Sequence, residues 1–541
     1  VKGDVQHTFH SPHPLIFQTE GAGGIHLEGA LTNTGCGPIQ LSAPHITITG
    51  KLMGQDLNIQ GGLTCHGELY GKNLTVLAKG DGEISGKVIT DGGHCYWKGG
   101  KTLRLTGEWG HLGGGRFHLE GMRNLFIEEG GHLYATNRTT CFTIQNLGGI
   151  FSIEKGRVSA GSAPLYISGD CGAVSLEGGL LESMAPITID VGHHCHLCQS
   201  HLTSPQSIHL TLGEDLLLME GSSLSSPQGI QVNAKERVTL FDTSSISGRG
   251  VTINCGETLS LFESATIKGG SSPLFASAGE MLHLEGPQVR IEGGQVSLHA
   301  GESFSMEGRS QIASTLGNLS VTAGTTAQLG QEAKISAYGG DLEFIVNEGN
   351  LYLYGESALL SPTHGSQIII GKSLIMEDFS QIQNHGEKGT TIIVDHLGRD
   401  GGIVMGPHTS ISTGHSPLQI FSAKRHLSTL NGMLNGYRFS PSLLYLNTEY
   451  EQWGVSYPSP SSSALFTLFH KENGLITIHP NQHVNQTDFR QILINYIGPF
   501  TAELQRDLHP YDEFTSQSIT FTNEDEPYFI RRRNEQKDDM D

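Results

Sequence analysis

Val238-Thr239-Leu240-Phe241-Asp242-Thr243-Ser244-Ser245-Ile246 is the stretch whose reading decides the fold. It carries apolar residues at positions one, three and nine, with a polar corner between them. The same shape returns in Leu259 to Ile267 (LSLFESATI) and Phe304 to Ile312 (FSMEGRSQI). It recurs in Ala327 to Ile335, Leu351 to Leu359, Leu374 to Ile382 and Ile403 to Ile411. Looser copies start at Leu103, Leu125, Phe151, Val174, Cys195, Leu216 and Leu282, so neighbouring starts from Leu103 to Leu374 lie 21 to 26 residues apart. Self-similarity at such a period is the mark of a repeat architecture.

Each copy holds three to five residues of apolar/polar alternation before a Gly-, Asp- or Glu-containing corner, which is the pattern of a short strand and a turn. One such unit cannot bury its apolar side alone, but stacked on its copies it forms continuous inward columns. The expected fold is all-β, a right-handed parallel β-helix with coils of about 22 residues. With looser matches near Ile25, Ile46, Leu57 and Leu74, the solenoid is expected over residues 21–425. Some 17 coils at a rung spacing of ~4.8 Å would be roughly 80 Å long.

Residues 1–20 contain His7, His10, His13, Pro12 and Pro14 and are expected to be a cap or the remnant of a leader. The chain begins at Val1 rather than Met, which leaves room for an upstream segment. Past residue 425 the composition changes. Only 5 of the 72 glycines fall there, while Tyr437, Phe439, Tyr445, Tyr450, Trp453 and Tyr457 follow one another closely. Asn473-Gly474 between two apolar runs predicts a hairpin, and Thr487–Ile497 has helical spacing. Residues 426–541 are therefore expected to be a small α+β module with a tail, in which Ser518 to Thr522 alternates like a strand.

Of the 541 residues, 33 are Lys or Arg and 54 are Asp or Glu, giving a net charge of −21 with neutral His. That balance disfavours nucleic acid and anionic membrane surfaces as partners. No apolar run is long enough to span a membrane as a helix. The eight cysteines (Cys36, Cys65, Cys95, Cys141, Cys171, Cys195, Cys198 and Cys255) share no single offset in the repeat. Disulfides, in any of 105 pairings, and buried free thiols both remain open.

Two clusters carry chemistry. His194, Cys195, His196 and Cys198 include a Cys-x-x-Cys with neighbouring histidines, the ligand types of zinc. Strand alternation, however, turns Cys195 and Leu197 inward and His194 and His196 outward, so a structural role is the preferred reading. The second is a run of acids at the corner: Glu128, Glu154, Glu177, Glu220, Asp242, Glu263, Glu285, Glu307 and Glu377. Stacked a rung apart they would either splay into water or be bridged by a cation such as Ca2+. No catalytic residue is assigned. His-Glu-x-x-His, Gly-x-Ser-x-Gly and calcium-type nonapeptide motifs are missing, and no carboxylate pair stands out from the repeat.

The Gly-rich alternation, as in Leu351-Tyr-Leu-Tyr-Gly and Asn318-Leu-Ser-Val-Thr-Ala-Gly, resembles the filamentous-haemagglutinin-like exoproteins and autotransporter passengers of bacteria. The resemblance implies a secreted, extracellular or cell-surface β-helix used in adhesion or in building an extracellular layer. Its partners would be further copies of itself and a host surface or glycan. The alternative class is a carbohydrate-active β-helix, a lyase, hydrolase or tailspike-like protein.

Overall fold

The computed structural model describes residues 6–478, apart from 20, 137, 171, 397–400, 414–417, 423–428, 431–432, 435–436, 439–465 and 471–473. The described residues form an all-β parallel solenoid of about 18 turns. From Gly82 onward each full coil contributes three strands, and each strand pairs in parallel with its equivalents one coil before and one coil after; nearer the N-terminus the long strands Ile39–Ile48, Lys51–Cys65 and Glu68–Ala78 run through corners and serve more than one sheet. In one coil these are Ser207–Leu212 in a first sheet, Leu216–Met219 in a second and Ser223–Ser226 in a third. They pair onward with Gly229–Ala234, Val238–Leu240 and Ser245–Gly248.

The nine-residue unit spans one corner of the solenoid. Positions one to three are a strand of the second sheet, the polar residues turn the corner, and position nine enters the third sheet. Leu240 lies beside Leu261, Leu261 beside Leu284, and the column continues through Met306, Leu329, Leu353, Met376 and Met405. Position nine makes its own column: Ile246, Ile267, Ile291, Ile312, Ile335, Leu359, Ile382 and Ile411. These side chains are essentially inaccessible to solvent. Each buried Leu or Ile contributes roughly 1.5–3 kcal/mol of transfer free energy, so the stacked columns supply the stabilisation that no single coil has.

The corner after the second sheet demands a left-handed backbone. Glu220, Asp242 and Glu263 occupy it with φ of 53°, 57° and 61°, and Gly178 and Gly308 take the same place at 60° and 68°. Glycine reaches that region without strain, whereas residues with a Cβ do so at a cost. Four residues on from the last inward residue of the second sheet, a buried Ser or Thr closes the corner in many coils. Ser222 Oγ donates to the Met219 carbonyl at 2.6 Å, and Thr409 Oγ1 to the Gly406 carbonyl at 2.8 Å.

Two boundaries move. The segment expected to be a separate cap already belongs to the solenoid: Gln6–Phe9 pairs with Ala30–Asn33, and Leu15–Gln18 pairs with Ile39 to Ser42. His10, Pro12, His13 and Pro14 fill the corner between these two strands and mask the repeat there. At the other end, the Asn-Gly hairpin is present as Phe466–His470 against Gly474–Ile478, antiparallel. Its first strand also extends the first sheet, pairing in parallel with Leu418–Ser422. The expected helix at 487–497 and the strand-like 518–522 lie outside the described residues, as does Cys171. The seven described cysteines are free thiols, and four of them, Cys65, Cys95, Cys195 and Cys255, are buried. Among the described residues no helix is long and apolar enough to cross a membrane.

Candidate functional site

The second sheet carries both clusters that the sequence singled out. Cys195–Cys198 is one of its strands, between Ala173–Glu177 and Leu216–Met219. Cys195 points into the core beside Val174 and Leu216, and burial pushes its thiol up to about 12. Cys198 sits on the outer face, where burial and then the Glu220 carboxylate also raise its thiol. Metal binding needs thiolate, so both environments work against it. His194 and His196 stack on the outside with ring centroids 4.1 Å apart. Burial first, and then His194, hold the His196 imidazole below its ordinary value. His193 Nδ1 donates to Glu214 Oε1 at 2.7 Å. The strand thus brings His194, His196 and Cys198 to one face and leaves Cys195 on the other. Among the described residues no group of three or more His, Cys, Asp or Glu is placed to hold a metal ion.

The corner acids form two columns, not one. Glu220, Asp242 and Glu263 stand at the left-handed corner position. Glu128, Glu154, Glu177, Glu285, Glu307 and Glu377 stand one residue earlier, directly after the last inward residue. Glu220, Asp242 and Glu263 follow one another on consecutive coils, and in the other column Glu154 lies beside Glu177 and Glu285 beside Glu307. Several have local partners. Arg104 pairs with Glu128, Gln199 Nε2 donates to Glu220 Oε2 at 2.5 Å, and the Glu220 backbone N–H donates to Asp242 Oδ2 at 3.0 Å.

In two consecutive coils the second column is aromatic instead of acidic. Met219, Phe241 and Phe262 precede Glu285 and Glu307 along the outer face. The Phe241 and Phe262 rings stack 4.8 Å apart at 11°, so their separation is one rung. His283, beside Ser260 in the neighbouring column, packs tilted against Phe262 at 5.5 Å and reaches Glu285 Oε2 through Nε2 at 3.2 Å. One coil beyond Glu307 the position is Gly330, and the ring of Tyr354 lies across it. From there the Tyr354 hydroxyl donates to Glu307 Oε1 at 3.4 Å and accepts from Gln328 Nε2 at 2.5 Å. Tyr352, on the same face, accepts from Asn350 Nδ2 at 2.8 Å through its hydroxyl. The outer face therefore runs from a ring ladder, through two adjacent carboxylates, to a pair of phenols and an amide. The legible signal was an aromatic residue in the corner-facing slot of consecutive repeats.

A smaller polar network occupies the outer face of the first sheet. Tyr96 and His118 stack at 5.2 Å, and the Tyr96 hydroxyl donates to Glu120 Oε2 at 2.7 Å. That bond holds the Glu120 carboxyl below its usual value, while burial and then Glu120 push the phenol up to about 12.

Comparison with protein-family models, curated proteins and solved structures finds no match for this chain.

Proposed function

We propose that this chain is a secreted structural and adhesive surface protein of a bacterium, one that associates with further copies of itself into a fibre or layer. The observation that carries the reading is the coil-on-coil stacking itself, in which every strand is laid on the edge of its equivalent over a continuous apolar column. In the first described coil the inward residues Leu15, Phe17 and Ile25 are half-exposed, and their successors one coil on, Ile39, Leu41 and Ile46, are 1–3% exposed. Strand edges over an apolar column are a template that another chain can continue. A head-to-tail contact of that kind does not close and gives a filament. The acidic surface keeps the flanks of neighbouring rods apart, which favours contact through the ends.

Light scattering and electron microscopy of the purified protein test this, with Leu15→Asp/Phe17→Asp as the variant that should block growth at the first coil. Filaments that persist in the variant would count against end-on assembly. The second reading, a carbohydrate-active solenoid, draws its support from the adjacent carboxylates Glu285 and Glu307 on an aromatic face.

A further inference from the structure

We propose that the outer face of the second sheet, from Phe241 to Tyr354, is a binding track for a neutral linear glycan lying along the solenoid axis. The proposal deepens the adhesive reading by naming the ligand class, but it does not depend on self-assembly.

Three features converge on that chemistry. First, Phe241 and Phe262 stand half-exposed in an outward-facing slot. The slot tolerates Glu, Cys, Met and Gly in other coils, so the core does not require a ring there. Phe241 and Phe262 nevertheless stack across two coils, and His283 of the next coil packs against Phe262 from the neighbouring column, tilted by 58°. Sugar rings present apolar C–H faces that pack on such surfaces, and aromatic side chains combine that apolar area with defined geometry.

Second, the ladder continues into groups suited to hydroxyls. Glu285 and Glu307 are acceptors, Gln328 is a donor and an acceptor, and the Tyr352 and Tyr354 hydroxyls are both. A sugar hydroxyl donates and accepts at once, so a mixed set satisfies it where a purely acidic set would not. Tyr354 is held in place by Gln328 and Glu307 and by its seat on Gly330, so the far end of the track is preorganised.

Third, the arrangement is linear and periodic. Equivalent side chains repeat at ~4.8 Å along the axis, close to the repeat of sugar rings in an extended chain. Glu285 and Glu307 at the centre of the track, on a chain of net charge −21, disfavour uronate or sulfated polymers and select a neutral one.

The test is affinity electrophoresis of the full chain in native gels containing soluble starch, dextran or hydroxyethylcellulose. At least one should retard the protein. Phe241→Ser/Phe262→Ser should weaken retardation about tenfold or more, whereas Phe275→Ser, on the first sheet, should leave it unchanged. All three changes are on outer faces, and equal melting temperatures would show that the fold is intact. No retardation by any of the three polymers, or undiminished retardation of the double variant, would overturn the proposal. Filaments formed by a protein that no glycan retards would leave the assembly reading standing without the track. Retardation of a strictly monomeric protein would do the reverse. Reducing ends released by the wild type but not by Glu285→Gln or Glu307→Gln would keep the track and replace the non-catalytic reading with the carbohydrate-active one.

Discussion

Tyr354 lies so closely over Gly330 of the preceding coil that a Cβ on Gly330 would fall 2.2 Å from the ring Cζ. Tyr134 covers Gly110 in the same way, at 2.3 Å. In both pairs the tyrosine follows the glycine by 24 residues, one coil. The glycine is required for a close approach and not for its backbone angle.

Gly330→Ala should therefore lift the ring off the sheet and break the bond from Tyr354 to Glu307. Loss of about 1 kcal/mol in stability is expected, because the phenol can swing into solvent instead of clashing. Tyr354→Ala should cost a similar amount, and the two changes together should be far from additive. Additive denaturation free energies would mean that the two residues are not coupled.

Leu261 is sandwiched between Leu240 and Leu284 in the inner column of the second sheet. Leu261→Asp places an unpaired charge where no partner is available and should destabilise by several kcal/mol. Because each coil contacts only its neighbours, the damage should be local at first, so protease should cut near residues 240–285 before the rest of the solenoid melts. A melting curve unchanged from wild type would refute the assigned register.

The buried thiols set a sign for alkaline stability. Cys65, Cys95, Cys195 and Cys255 are each pushed from an ordinary value of 9.0 to about 12, chiefly by burial. A raised value means that the folded state holds its proton more tightly than the unfolded one. The full contribution is present below pH 9.0 and falls away as the pH climbs from 9.0 towards about 12. Denaturation midpoints should drop across that window, and less so in a variant with all four changed to Ala. Equal pH slopes for the two proteins would show that the thiols are not the cause.

Metal analysis of protein purified without chelator or affinity tag addresses the His-Cys cluster. With Cys195 in the core and Cys198 outside, less than one zinc per chain is expected. One tightly held zinc, lost in Cys195→Ser/Cys198→Ser, would show that the strand rearranges to bind it.

The inner columns could be read from sequence because alternation and period act together. Positions one, three and nine of the Val238 unit have no freedom to point elsewhere once the coils stack. The outer face was less legible. Glu220, Asp242 and Glu263 look equivalent to Glu285 and Glu307 in a repeat alignment, yet a one-residue offset separates a left-handed corner from a strand end. Phe241 and Phe262 read simply as apolar residues until the pleat shows that they face water. The bond from Tyr354 to Glu307 spans 47 residues, two coils, and no single-period comparison would find it. In the first coil His10, Pro12, His13 and Pro14 crowd the corner between two short strands, so the repeat pattern does not show there.

The central claim is that this solenoid is an assembling surface protein, and the most direct test is particle mass against concentration. Multi-angle light scattering of the untagged full chain should show mass rising in steps of one chain as concentration increases, with growth lost in Leu15→Asp/Phe17→Asp. A single-chain mass at every concentration, identical in wild type and variant, would contradict it.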